Sequence, residues 1–422
     1  MASPKGAAHT VKLDQLCIGL HIKLDGWSGH PFLFSSFKIK DQTQIDTLRS
    51  LGLSEIEYLP QKSDVKPQPP AVAPAVEEVK PDPAVLSELM KAKREHIEIL
   101  SKQRAQIHAA EKKYQKTANA VKNITRMANS QPAQAAEQSK ELAAELSEIF
   151  LSPESPFIHL MGDNISDDSA HFHSLNVAML SLILARAAGI TDVKTMNDIA
   201  QGAVLHDVGK ALIPSQVLLK DDGLTAAEVK LLQMHPAYGV KLMQPVEGLS
   251  RRVFEIMLCH HEMLDGSGFP KGLQGDAIDQ AVRIVTIANA YDNLCNPRVA
   301  SRSKTPSEAL SFMYKNELQK YDKALMSAFI KSMGIYPPGT ILMLKSGKVG
   351  IVISVDSSDL LYPNLMLYDA TIPKEEAAVV NLRRDLDDAI DRTLRPSALP
   401  APIFSYLSPR KRISYFVDNV SN

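Results

Sequence analysis

Cys259-His260-His261-Glu262, followed after two residues by Asp265-Gly266-Ser267-Gly268-Phe269-Pro270, is the stretch on which the reading of this chain turns. Two adjacent histidines at the end of an apolar helix, running straight into a glycine-rich loop, are hard to explain as packing. Further residues of the same chemical type precede them at wide intervals: His173, the pair His206-Asp207, and His235. Each falls on a different expected helix, and Pro236 or the glycine loop comes directly after. Converging helix ends are how a bundle builds an internal metal site. Neutral imidazoles around one carboxylate read as a cage for more than one divalent metal. An adjacent His and Asp face one ion only where a helix ends or bends, and Gly209 allows that at His206-Asp207. Asp207 then bridges two metals through its two oxygens. His171 would point to the other side of its helix. His30, His96, His108 and His159 stand outside any cluster and read as ordinary core or surface residues.

From these residues outward the fold class is mainly α. Residues 157–334 run helix after helix with short loops and no expected strand. Thr225-Ala226-Ala227-Glu228 and Thr305-Pro306-Ser307-Glu308 are capping boxes, the second with proline at the first helical position. Residues 8–62 form a small α/β domain, with strands at Val11-Lys12-Leu13 and Ile22-Lys23-Leu24, a turn at Trp27-Ser28-Gly29-His30, and a helix from Asp41 to Leu51 stopped by Gly52. A Pro-rich linker occupies 63–83. Connector or coiled-coil helices follow over 84–150; the discontinuous apolar stripe Leu86, Leu89, Met90, Ile97, Leu100, Ile107, Ala110 fits a homodimer through the 84–127 helix or a connector packed on one side. After Gly334 the style changes to a small β-rich extension over 335–400, with strands around Lys345-Ser346-Gly347 and at Leu365-Met366-Leu367-Tyr368, then a weakly patterned tail over 401–422.

The chain has 422 residues and 45% hydrophobic content, enough for two or three domains with at least one sizeable core. With 47 basic and 48 acidic residues, it offers no general attraction to a nucleic-acid polymer or a membrane surface. An anionic substrate must be met by local basic groups. Cys17, Cys259 and Cys295 are scattered and odd in number, which argues against a disulfide framework. No segment approaches a membrane span and no apolar leader opens the chain, so a cytoplasmic protein is expected.

His173-Ser174-Leu175-Asn176-Val177, His206-Asp207-Val208-Gly209-Lys210, His235-Pro236, His260-His261-Glu262 and Asp265-Gly266-Ser267-Gly268-Phe269-Pro270 together resemble the HD-GYP family of bacterial cyclic di-GMP phosphodiesterases. The resemblance covers roughly Phe157 to Gly334, in five separated motifs that agree in type, order and spacing. The first segment and the strands after Tyr336-Pro337-Pro338-Gly339 resemble domains that often flank this one. The resemblance implies an HD-type helical bundle and hydrolysis of cyclic di-GMP to pGpG or GMP. It implies two divalent ions, iron or manganese, with zinc also compatible. The metal ligands would be His173, His206, Asp207, His235, His260, His261 and Asn289, with Asp207 and Lys210 as catalytic groups. Lys210, Phe269, Arg298 and Arg302 would meet the substrate.

Four departures matter. Phe269 replaces the tyrosine of the family motif, which removes one hydroxyl hydrogen bond, on the order of 1 kcal/mol. Asn289 stands where the family has its last metal-binding aspartate. Ser169 stands where some members carry a glutamate for a third metal, which points to a two-metal site; Ser301, with Arg302 beside it, replaces a basic residue. The alternatives are a cyclic di-GMP receptor with weak or no turnover and a phosphohydrolase acting on another nucleotide.

Overall fold

The structure is a computed structural model and describes residues 9–24, 30–32, 36–51, 53–69, 83–152, 157–160, 169–220, 223–356, 359, 361–370, 374, 377, 379–383, 388–408 and 413–418. The expected turn at Trp27-Ser28-Gly29-His30, the stop at Gly52 and most of the linker lie outside them. The chain divides into two compact units, one of residues 1–104 with 370–373 and one of 105–369 with 374–422.

The first unit carries strands β1 (His9–Lys12), β2 (His21–Lys23), β3 (Ser36–Lys38) and β4 (Glu55–Tyr58), in the antiparallel order β1-β4-β2-β3, with helix α1 (Gln42–Ser50). Alternation puts Val11, Ile22 and Ile56 on one face, buried with Leu16, Leu20, Ile45 and Leu48. Asp41 caps α1 by accepting the Gln44 amide at 2.8 Å. Two of the four strands, β3 and β4, escape sequence reading. Helix α2 (Pro83–Met127) is continuous. The side chains of Leu86, Leu89, Ile97, Leu100 and Ile107 lie outside the described ones.

The second unit is a helical bundle: α3 (Pro132–Leu151), α4 (Ser169–Ala187), α5 (Val193–Leu205), α6 (Ser215–Leu218), α7 (Ala226–Leu232), α8 (His235–Met243), α9 (Arg251–Cys259), α10 (Gln280–Cys295), α11 (Pro306–Asn316) and α12 (Lys323–Met333). Helix α4 is its axis, because it is apolar nearly all round: Leu175, Val177 to Leu180 and Leu182 to Ala185 are buried. Each large side chain of that set contributes about 1.5–3 kcal/mol by leaving water. Around α4 pack α3, α5, α10 and α12. Starts are set by side-chain caps: Asp192 for α5, Ser250 for α9, Asp279 for α10, and both expected capping boxes, Thr225 with Glu228 and Thr305 with Glu308.

The same unit carries an antiparallel sheet of β6 (Ile341–Leu344), β7 (Val349–Asp356), β8 (Asn364–Leu367), β9 (Val379–Asn381) and β10 (Ile390–Leu394). Two further strands belong to it that the sequence reading placed elsewhere. Residues Phe157–Leu160 (β5), expected to open an uninterrupted helical domain, pair with β7. The tail, expected to be weakly patterned, forms helix α13 (Ala401–Leu407) and strand β11 (Tyr415–Asp418), which pairs with β5. Tyr415 is fully buried, with its hydroxyl 2.8 Å from that of Tyr291 on α10. Four-residue strands show too little alternation to be seen without their partners.

Helix α5 crosses α9 closely because Gly202 has no side chain: a Cβ there would sit 2.8 Å from three atoms of Ile256. In Gly202→Ala, helix propensity gains about 1 kcal/mol, while overpacking costs about 1–3 kcal/mol. The expected net effect is a lower denaturation midpoint, partly restored by adding Ile256→Val. A midpoint equal to wild type would mean that this crossing is loose.

Candidate metal centre

Three histidines follow helix ends. His206 caps α5, His260 caps α9, and His235 comes just after α7. A helix leaves its last carbonyls without intrahelical partners, and each histidine uses one of them, three residues back. The Nδ1 atoms of His206, His235 and His260 lie 2.6, 2.6 and 3.0 Å from the carbonyl oxygens of Ala203, Leu232 and Met257. A carbonyl only accepts, so Nδ1 carries the proton and Nε2 is left with a bare lone pair. His173 reaches the same state differently, with Nδ1 2.6 Å from the Asp292 carboxylate.

The four bare nitrogens converge. His206 Nε2 is 3.3 Å from His173 Nε2, and His235 Nε2 is 3.2 Å from His260 Nε2. Lone pairs aimed at each other across such distances repel unless a cation lies between them. Asp207 stands between the pairs. Its Oδ2 is 3.4 Å from His206 Nε2 and 3.6 Å from His173 Nε2, and its Oδ1 is 3.2 Å from His235 Nε2. Oδ1 is buried without a hydrogen-bond donor. An orphaned carboxylate oxygen facing bare imidazole nitrogens fits a divalent cation in chemistry and charge. The ligand atoms fall into two groups, His173 with His206 and Asp207, and His235 with His260 and His261, each within 4.8 Å.

Electrostatics hold the centre in its ligating form. Burial, joined by repulsion from neighbouring histidines, pushes His260 and His261 well below the ordinary imidazole range, and burial lowers His206 against the pull of Asp207. Burial by itself would raise Asp207; Lys210, then His206 and His235, overcome it and hold the carboxyl well below its usual range. Lys210 Nζ hydrogen-bonds Asp207 Oδ2.

Backbone geometry explains the glycines. A Cβ on Gly209 would fall 2.0 Å from the His235 carbonyl and 2.3 Å from the Gly239 amide, so the turn Val208–Leu212 can press onto α8 only without one. A Cβ on Gly268 would fall 2.4 Å from both the His261 carbonyl and the Met263 amide. The loop folds back there, the Phe269 amide donates to the His261 carbonyl at 3.2 Å, and the Phe269 ring stacks on His261 with centroids 4.4 Å apart.

The structure therefore brings His173, His206, Asp207, His235, His260, His261, Lys210 and Phe269 together. Asn289 is buried on α10, and its Oδ1 accepts from Asn293 Nδ2 at 2.9 Å. With His261 it lines a cleft of about 260 Å³ that also includes Asn293, Glu317, Lys320 and Tyr321. Arg298 is exposed after α10, with Nη1 3.5 Å from the Val217 carbonyl, and Arg302 is exposed nearby. The side chain of Ser169 lies outside the described ones. Two residues have roles that the sequence reading did not assign. Glu262, 1% exposed, accepts the amides of Lys271 and Leu273 at 2.6 and 2.9 Å and so pins the glycine loop. Asp292, also 1% exposed, orients His173. Its spacing of four from Asn296 was the available signal, since both lie on one helix face.

Comparison with known proteins agrees with this geometry. Residues 159–325 match the HD domain family, and residues 9–139 match a domain of unknown function, DUF3391. A cyclic di-GMP phosphodiesterase of Pseudomonas aeruginosa is 27% identical over 361 residues, 85% of this chain and 84% of that one. A cyclic di-GMP phosphodiesterase of Borreliella burgdorferi is 26% identical over 54% of this chain and 60% of its own length. A cyclic di-GMP phosphodiesterase response regulator of Xanthomonas campestris is 34% identical over 35% of this chain and 39% of its own. The chain thus spans most of the first relative and less than two thirds of the other two.

Replacing both His206 and Asp207 by Ala removes a ligand from one group and the carboxylate shared by both. Metal content by mass spectrometry after anaerobic purification is expected to fall to background. Full occupancy in that variant would dismiss the assignment.

Proposed function

We propose that this chain, whose residues 159–325 match the HD domain family and whose motifs resemble the HD-GYP family, hydrolyses the phosphodiester bonds of cyclic di-GMP to pGpG, GMP or both, using two divalent ions, iron or manganese, with zinc also compatible. The observation that carries this reading is Asp207. Its two oxygens face two separate sets of bare imidazole nitrogens, Oδ2 toward His173 and His206 and Oδ1 toward His235. When bound, such a pair of ions polarises a phosphate and lowers the pKa of a water at neutral pH.

The chain's own residues do the rest. His173, His206, His235, His260 and His261 would hold the ions, with Asp207 shared between them. Lys210 presents a half-exposed ammonium beside Asp207, placed to offset negative charge that develops on a phosphate bound there. Arg298, with its planar fork, and Arg302 would meet the substrate. Phe269 keeps the aromatic face of the family motif, stacked on His261, without the hydroxyl. No helix among the described residues is long and apolar enough to cross a membrane; action in the cytoplasm and a homodimer through the 84–127 helix are part of the same proposal.

The test is chromatography of products from cyclic di-GMP with the metal-loaded protein. Appearance of pGpG or GMP is expected; tight binding without product would make this chain a receptor instead. Lys210→Ala should weaken cyclic di-GMP binding about 10–100-fold, as a charge-assisted contact of roughly 1.5–3 kcal/mol implies, while metal content stays intact. Equal affinity in wild type and variant would remove Lys210 from the substrate site.

Asn289 gives a separate test. A neutral amide contributes no negative charge, so Asn289→Asp should raise metal retention during dialysis against a chelator and with it turnover. Unchanged or reduced retention would take position 289 out of the metal shell.

A further inference from the structure

We propose that the C-terminal strand is a positioning element of the metal centre, acting on His173 through Asn176, Asn296 and Asp292. The inference rests on the reading of His173 as a metal ligand. Its basis is a closed set of hydrogen bonds between three chain segments. Asp292 Oδ2 takes the Nδ1 proton of His173 at 2.6 Å. Asp292 Oδ1 accepts two amide protons, from Asn176 Nδ2 and Asn296 Nδ2, both at 2.9 Å. Each of those amides gives its other proton to one backbone atom, the carbonyl of Ile413, at 2.9 Å from Asn176 and 2.7 Å from Asn296. Their oxygens accept in return from the strand: Asn296 Oδ1 from the Ile413 amide at 2.8 Å, and Asn176 Oδ1 from the Tyr415 amide at 3.1 Å.

Each asparagine has its carbonyl oxygen and both amide protons engaged, so neither side chain can turn over without losing bonds. Asp292 is 1% exposed, and its carboxylate has little water to solvate it. Its orientation is therefore set by the two amides, and theirs by the backbone at 413–415. Strand β11 is anchored independently, by pairing with β5 and by the buried Tyr415 and Phe416. The order of control runs from that anchored strand to Asn176 and Asn296, then to Asp292, and then to the tautomer and ring orientation of His173. Partners of this kind, one bond removed from a ligand, alter metal affinity or activity by about 10–100-fold when lost. The arrangement makes metal affinity depend on a segment 237 residues away in sequence from Asn176.

The experiment uses the full chain and cobalt(II) as the probe, with affinity by chelator competition and the visible absorption spectrum as readouts. Far-UV circular dichroism and melting temperature check that each variant is folded. Asn296→Asp keeps the shape and the acceptor for the Ile413 amide but replaces both N–H donors with a carboxylate facing Asp292. Ile413→Pro removes one backbone donor, whereas Ile413→Val keeps the backbone intact. We expect Asn296→Asp and Ile413→Pro to weaken cobalt binding about 10–100-fold with a changed spectrum, and Ile413→Val to match wild type. The reference is His173→Ala. If His173→Ala loses cobalt while Asn296→Asp and Ile413→Pro bind it as wild type does, the positioning role is overturned and the metal centre stands. If His173→Ala binds cobalt with wild-type affinity and spectrum, His173 is not a ligand and both readings fall.

Discussion

The centre depends on the unpaired carbonyls at helix C-termini. An isolated imidazole has no reason to present one ring nitrogen over the other, and a cage built from uncommitted tautomers would be half donors and half acceptors. Ala203, Leu232 and Met257 remove that freedom by taking the Nδ1 protons of His206, His235 and His260. The carbonyls are available because helices end there. Loop placement, glycine at 209 and 268, and the crossing of α5 with α9 all serve to bring those helix ends to one point. Asp207 then lies between lone pairs with one oxygen orphaned. That arrangement is unstable without cations and well matched to them.

Much of this was legible in the sequence, because each motif is local. His206-Asp207, His235-Pro236 and His260-His261 are adjacent or capped pairs at the ends of apolar runs, and capping boxes at Thr225 and Thr305 marked the helices between them. What was not legible depends on partners far away along the chain. Strands β5 and β11 have four residues each and are strands only because they pair with each other and β5 with β7. Asp292 looks in the sequence like one more polar residue on an apolar helix. Its partners are a histidine 119 residues earlier and, through two asparagines, a backbone segment beyond residue 412. No periodicity records such a closure.

Two of the departures from the family pattern, at positions 269 and 289, fall in different places. Phe269 keeps its ring where stacking on His261 needs it, so the change removes a polar contact and leaves the loop's packing in place. Asn289 sits at the cleft beside His261 with its amide oxygen bonded to Asn293. A carboxylate at that position would add a negative charge near His261, which sits in a cage with one shared carboxylate. The charge balance of the centre, more than its shape, is therefore what the departure at Asn289 from the family pattern would alter, and metal retention is the property most exposed to it.

The central claim is that the bare Nε2 atoms gathered around Asp207 are metal ligands. X-ray absorption at the metal edge of the anaerobically loaded protein tests it most directly, because imidazole rings give a multiple-scattering signature that carboxylates and water do not. The account predicts an average of two or more imidazoles per ion. An oxygen-only shell would contradict it.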